Sequence, residues 1–234
     1  MCGRYVSPDD AAIERYFTID RRTPHPLARH FNVAPTTLVP IVRKTREGVT
    51  ELAQARWGLV PSWWKQDKLP TSTFNARSEE AALKPMWRQA YRHSRCLIPA
   101  EGWYEWRETE VVDRSTGEVG KVKQPYYIHR GDEPVFSFAG LGSWWKGVEA
   151  EPLVSCALLT KAAAPDLQYI HQRMPVVLAP DDHARWLDPQ LSAGDVGDLV
   201  SRALEAFQSY PVGTRVNNAR NDSPGLIAPA QEPQ

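Results

Sequence analysis

The stretch Cys96-Leu97-Ile98-Pro99-Ala100-Glu101-Gly102-Trp103-Tyr104-Glu105-Trp106-Arg107 constrains the fold of this chain most. It reads as strand, turn, strand, and with a side-chain period of two it puts Trp103, Glu105 and Arg107 on one face, Tyr104 and Trp106 on the other. Further strand patterns fall at about Leu38–Val42, Thr50–Trp57, Tyr126–His129, Val135–Ala139, Leu153–Thr160 and Val176–Ala179, with a closing strand within Tyr210–Asn217. Between them lie short helical patterns. One opens at Ser7-Pro8-Asp9-Asp10, with Ser7 as its cap and Ile13, Tyr16 and Phe17 as its apolar stripe. Another has Ser78 as cap, and a third restarts after Pro85 and runs to about His93. A fourth opens at Pro180-Asp181-Asp182, and an amphipathic one is marked by Val196, Leu199, Val200, Ala203, Leu204 and Phe207. Glu108 to Lys123 reads as an exposed hairpin turning at Asp113–Gly117.

The chain has 234 residues, which favours one domain over two, here 1–222 followed by a mobile proline-bearing tail over 223–234. No apolar run has transmembrane length and no signal peptide is legible, so the expected place is the cytoplasm with the nucleoid, or the nucleus in a eukaryote. Three widely spaced cysteines, Cys2, Cys96 and Cys156, fit neither a disulfide framework nor a zinc site. No phosphate-binding loop, dinucleotide fingerprint or metalloprotease spacing is present, so no metal and no cofactor is expected. The net charge is zero, yet residues 1–100 carry 16 Lys and Arg against 9 Asp and Glu, while 101–234 carry 12 against 19. That asymmetry permits a basic face, or averages out if the halves interleave.

Chemistry concentrates at the amino terminus. A small residue behind Met1 permits methionine removal, which would leave Cys2 as a 1,2-aminothiol, with an amine of ordinary pKa about 8 beside a thiol near 8.5. Such a pair condenses with an aldehyde to a Schiff base that the thiol closes into a thiazolidine. Alternatively, the amine serves as base for the thiol in an amide hydrolase. One cysteine is not a motif, and Cys2 by itself reads first as an accident of translation start. Glu105 stands among three aromatics, whose apolar wall raises a carboxyl pKa toward neutrality; an outward-facing strand glutamate is the plainer alternative. Trp63 and Trp64 sit on a loop bracketed by Pro61 and Pro70, either as a base-stacking wedge or as a lid on the core. Arg88, Arg92 and Arg95 form a helical stripe, a solvated face or a phosphate track, and His171 and Arg173 stand where an element ends.

Six segments in this order resemble the signature blocks of the SOS-response-associated peptidase family, whose members shield abasic sites in single-stranded DNA. They are Met1-Cys2-Gly3-Arg4, Asn32-Val33-Ala34-Pro35, Trp57-Gly58-Leu59-Val60-Pro61, Asn75-Ala76-Arg77-Ser78-Glu79, Gly102-Trp103-Tyr104-Glu105-Trp106 and His171-Gln172-Arg173-Met174-Pro175, with a weaker match at Val216-Asn217. The resemblance implies a single compact α+β domain with a curved, largely antiparallel, barrel-like β-sheet flanked by helices. It also implies a covalent thiazolidine crosslink between Cys2 and the aldehyde of an abasic site. In that reading Asn75, Glu105 and His171 complete the catalytic group, and Arg4, Asn32, Arg77, Arg173, Trp63 and Trp64 contact DNA. The implied partner is single-stranded DNA carrying abasic sites, or its junction with duplex, met by a monomer away from membranes. An autoproteolytic thiol peptidase, a non-covalent single-strand binder and a plain abasic-site lyase are the competing functions.

Overall fold

The computed structural model describes residues 2–22, 26–66, 68–112, 119–131, 133–147 and 152–230. Five strands close into a barrel: Leu153–Ala162 pairs with Phe136–Trp145, then follow Arg95–Ala100, Leu38–Lys44 and Thr50–Trp57, which returns to the first. Four of these contacts are antiparallel. The closing one is parallel and sets Arg56 opposite Ser155 and Trp57 opposite Cys156. Alternation along the strands produces two buried clusters. Val39, Ile41, Ala53, Ala55, Trp57, Cys96, Ile98, Phe138, Cys156 and Leu158 belong to one, and Val42, Leu52, Leu97, Leu141, Ala157 and Leu159 pack with the helices in the other. Because both faces are covered, these strands read as near-continuous apolar runs.

A second, wholly antiparallel sheet has the order Gln208–Pro211, Val119–His129, Gly102–Val112, Arg4–Ser7, His30–Val33. The stretch 96–107 links the two sheets. Its expected turn is a bend at Glu101, whose N–H donates to the Val6 carbonyl at 2.9 Å. Gly102 is required just after it, since a Cβ there would lie 2.4 Å from the Tyr127 ring. The chain is therefore α+β and mostly sheet, as the resemblance implies.

Local details differ from expectation. The first helix is Asp10–Tyr16, capped by Asp9, which accepts the Ala12 N–H at 2.8 Å; Ser7 ends a strand instead. Ser78 is the first residue of the helix Ser78–Ala81 and not its cap. The helix Arg88–His93 stops before Arg95, which is buried in a strand and donates to the carbonyls of Tyr91, Arg92, Trp186 and Asp188. Ser94, with φ −138° and ψ 55°, breaks the helical phase, so the three arginines form no stripe. The long hairpin pairs out to Val112 opposite Val119, and its turn at Asp113–Gly117 lies outside the described residues. The last amphipathic helix is Ala193–Ser201, and Leu204 bridges to Val177 instead of extending it. The segment from 223 packs as far as 230: Pro224–Ile227 forms a 3₁₀ turn with Leu226 buried, and the Ala230 N–H donates to Pro211 at 2.8 Å. Among the described residues no helix is long and apolar enough to cross a membrane.

Candidate active site

The strand Arg4–Ser7 carries the start of the chain to one end of the barrel, pairing Arg4 with Tyr104 and Tyr5 with Trp103. Tyr5 is fully buried, with its ring edge-on to Trp57 at 5.4 Å and to Phe138 at 5.8 Å. Cys2 is fully buried as well, in a cluster that includes Trp57, Trp103, Ile170 and Met174. Its carbonyl accepts a 2.6 Å hydrogen bond from Asn75 Nδ2. Asn75 is itself fixed by parallel pairing opposite Leu158, and its buried Oδ1 has no partner among the described residues. The Cys2 S–H faces the Arg4 carbonyl at 3.8 Å. Burial pushes this thiol well above its ordinary pKa, the Glu105 charge adds to that, and the amino-terminal charge opposes it.

Glu105 is 3% exposed on the strand Gly102–Val112, opposite Tyr126 and on the same face as buried Trp103. Burial raises its carboxyl from 4.5 to about 7, against the pull of the amino-terminal charge. On the other face of this strand Tyr104 is buried with Val6, Phe31, Val216 and Leu226, so both faces are covered. His171 follows the 3₁₀ turn Pro165–Leu167, and its Nδ1 lies 2.9 Å from the backbone nitrogen and 3.2 Å from the carbonyl oxygen of Arg173. Burial, then the amino-terminal charge, hold this imidazole below its usual pKa. One charge, that of the amino terminus, thus acts on Cys2, Glu105 and His171 alike. A carboxyl balanced near neutrality and a neutral imidazole can between them give and take protons at pH 7.

The expected DNA contacts divide into three kinds. Arg4 lies beside the site, half-buried, and donates to Asn32 Oδ1 at 3.1 Å and to the Val216 carbonyl at 2.8 Å. Asn32 is buried rather than displayed. Its amide donates to the carbonyls of Val216, Asn218 and Asn221, so it staples the C-terminal segment and braces Arg4. Arg77 is exposed two residues past Asn75 on the same strand. Arg173 is held by both oxygens of Glu79, at 2.6 and 2.9 Å, and donates to the Thr160 carbonyl at 2.7 Å. Sequence reading missed this clamp, although Glu79 stands in the same block as Asn75.

Trp63 and Trp64 lie elsewhere. The Trp64 carbonyl accepts from Trp145 Nε1 at 2.7 Å, and Trp145 pairs with Leu153 at the start of a barrel strand. Arg173 pairs with Ala162 at its finish, about 30 Å of strand away at ~3.3 Å per residue. Trp63 is 48% exposed and its ring tilts against Trp64 at 6.2 Å, on the rim of a cleft that also holds Arg46, Gln89 and Trp144. Among the described residues no group of three or more His, Cys, Asp or Glu could hold a metal ion.

Comparison with known proteins assigns the relationship. Residues 1–219 match the family model for SOS response associated peptidase (SRAP). The abasic site processing protein YoqW of Bacillus subtilis is 34% identical over 97% of this chain and 99% of its own length. YedK of Escherichia coli, named likewise, is 32% identical over 98% and 100%. The abasic site processing protein HMCES of Gallus gallus is 31% identical over 77% of this chain and 58% of its own length. In three dimensions the fold matches a crystal structure of a Bacteroides thetaiotaomicron protein with a TM-score of 0.77, at 22% identity over 99% of this chain and all of that one.

Proposed function

Because the chain belongs to the SOS response associated peptidase (SRAP) family, we propose that it processes abasic sites in DNA by bonding them covalently to Cys2. In the mature chain Met1 is removed and the Cys2 amine attacks the ring-opened aldehyde of the lesion. A C=N bond forms and one water leaves with the aldehyde oxygen. The thiol then adds across that bond: its sulfur joins the former aldehyde carbon and its proton goes to nitrogen, giving a thiazolidine. An imine left at this carbon opens a route to strand cleavage by β-elimination, and ring closure diverts it. The product shields the lesion.

The observation that carries this reading is the coupling of Cys2 to a buried Glu105 whose pKa is about 7. As a carboxylate Glu105 accepts a proton from the attacking amine, and as a carboxylic acid it protonates the departing hydroxyl. His171 supplies the second donor, for the sugar oxygen released as the ring opens. Asn75 holds the Cys2 carbonyl, fixes the direction of the amine, and offers Oδ1 to the sugar. A thiol kept protonated by burial suits ring closure after imine formation better than thiolate attack on an amide, which favours a crosslinker over a peptidase.

The partner is single-stranded DNA, met by a monomer. Exposed Arg77 and half-buried Arg4 take phosphates, and Arg173 does so by exchanging with Glu79. A strand long enough to follow the barrel reaches Trp63 and Trp64. Denaturing gels test the reading with a single-stranded oligonucleotide carrying one abasic site. A heat-stable shifted band that needs both the lesion and Cys2 is expected. Nicking retained by Cys2→Ser without any band would point to a lyase, and binding untouched by Cys2→Ala to a non-covalent binder.

A further inference from the structure

Glu105 and His171 arrive on two separate segments, and each segment carries a second residue two positions away that the chemistry above does not use. On the strand it is Arg107, exposed and on the same face as Glu105. On the turn it is Tyr169, a large side chain left 48% exposed beside a site otherwise walled by buried rings. These two meet: the Arg107 guanidinium stands 5.5 Å from the Tyr169 ring centroid. Tyr126, the strand partner of Glu105, packs edge-on against the same ring at 5.8 Å. The phenol hydroxyl shares a 3.0 Å hydrogen bond with Ser209 Oγ, which fixes the ring from a third element. An exposed aromatic held rigid on three sides loses little entropy on contact, and a cation beside it adds attraction for a phosphate.

We propose that Arg107 and Tyr169 form a nucleotide subsite next to the reactive centre, with the base bordering the lesion stacked against the Tyr169–Arg107 pair and its phosphate taken by the guanidinium. The ligand is a single-stranded nucleotide of any sequence, because stacking uses a π-face that every base has. Its role is to set which backbone unit lies over Cys2. This rests on the abasic-site reading for its purpose, but the binding itself does not need crosslinking.

Affinity for an undamaged single strand, read by fluorescence anisotropy across a salt series, tests the subsite apart from the chemistry. Tyr169→Ala is expected to weaken binding by about 5- to 150-fold, the range of one base stack, and Tyr169→Phe to restore it. Arg107→Ala is expected to lower the slope of log affinity against log salt by about 0.7, the share of one phosphate contact. Removing the base on either side of the lesion with a tetrahydrofuran unit should weaken wild type on one side only, with no further loss in Tyr169→Ala. Equal losses with and without those bases, or a slower maximal crosslinking rate with unchanged half-saturation, would overturn the proposal and leave the pair as a tether for the His171 turn. A wild type that binds undamaged strands through this pair yet never crosslinks would sink the covalent reading and leave the subsite standing.

Discussion

Where the strand Leu153–Ala162 finishes, the fold sinks a thiol and a carboxyl into an apolar core and sets an imidazole, half-buried, against it. Where the same strand begins, it leaves Trp63 and Trp144 about half exposed, 48% and 51%, around a shallow cleft. The first region incurs desolvation cost to move proton affinities. The second costs little and gains a surface. The two regions are therefore physically separable, and each can be disturbed without the other.

The sharpest separation is expected at Glu105. Replacing it with Gln should slow crosslinking by roughly 10²- to 10⁴-fold, measured as single-turnover rate. The same change should make the protein more stable at neutral pH. The folded-state pKa of about 7 lies above the ordinary 4.5, so the folded form holds more protons and wild type loses stability as pH rises between those values. At pH 7.5 the Gln variant should gain up to about 3 kcal/mol in chemical denaturation, with the gain gone below pH 4.5. Equal stability at both pH values would show that the carboxyl is not shifted.

His183 provides the contrast within the core. It stacks on Phe17 at 5.3 Å, bonds Ser137 Oγ at 2.7 Å, and burial lowers its pKa to about 4. A depressed histidine gives the opposite slope: stability is full above pH 6.5 and falls as pH drops toward 4. His183→Gln should flatten that acid limb without altering crosslinking at pH 7.5, as stability and rate measured on the same preparations would show.

Asn32→Ala comes next in size. It takes a donor from the carbonyls of Val216, Asn218 and Asn221 and an acceptor from Arg4, which keeps the Val216 carbonyl, and a loss of about 2–3 kcal/mol in unfolding free energy is expected. A variant that keeps wild-type stability but binds DNA poorly would return Asn32 to the DNA surface. The smallest effect belongs to Trp63→Ala. It should weaken a long single strand by the several-fold worth of one stacked base and leave a short strand centred on the lesion unchanged. Equal losses on both lengths would bring the two regions together.

Much of this was legible in local pattern. Period two correctly grouped Trp103 with Glu105, and the run 96–107 did become the link between sheets. What stayed hidden is non-local. Nothing in the strand patterns indicates that Thr50–Trp57 closes on Leu153–Ala162 in parallel, since that contact joins residues about a hundred positions apart. Arg95 looked helical because spacing continues through Ser94, whereas tertiary packing takes it into the barrel. The resemblance names Asn32 as a DNA contact, and only the returning C-terminal segment, non-local in sequence, buries it. The Trp pair seemed to belong with Cys2 because sequence order carries no information about which end of a barrel a loop occupies.

The most direct test of the central claim is the intact mass of the protein after reaction with a short abasic-site oligonucleotide, with the modified residue located by fragmentation. The predicted mass is that of the chain without Met1 plus the oligonucleotide minus one water, carried on Cys2 and unchanged by borohydride because a thiazolidine has no imine left to reduce. An unmodified chain lacking Met1, or an adduct that forms on a lysine and needs borohydride to survive, would contradict it.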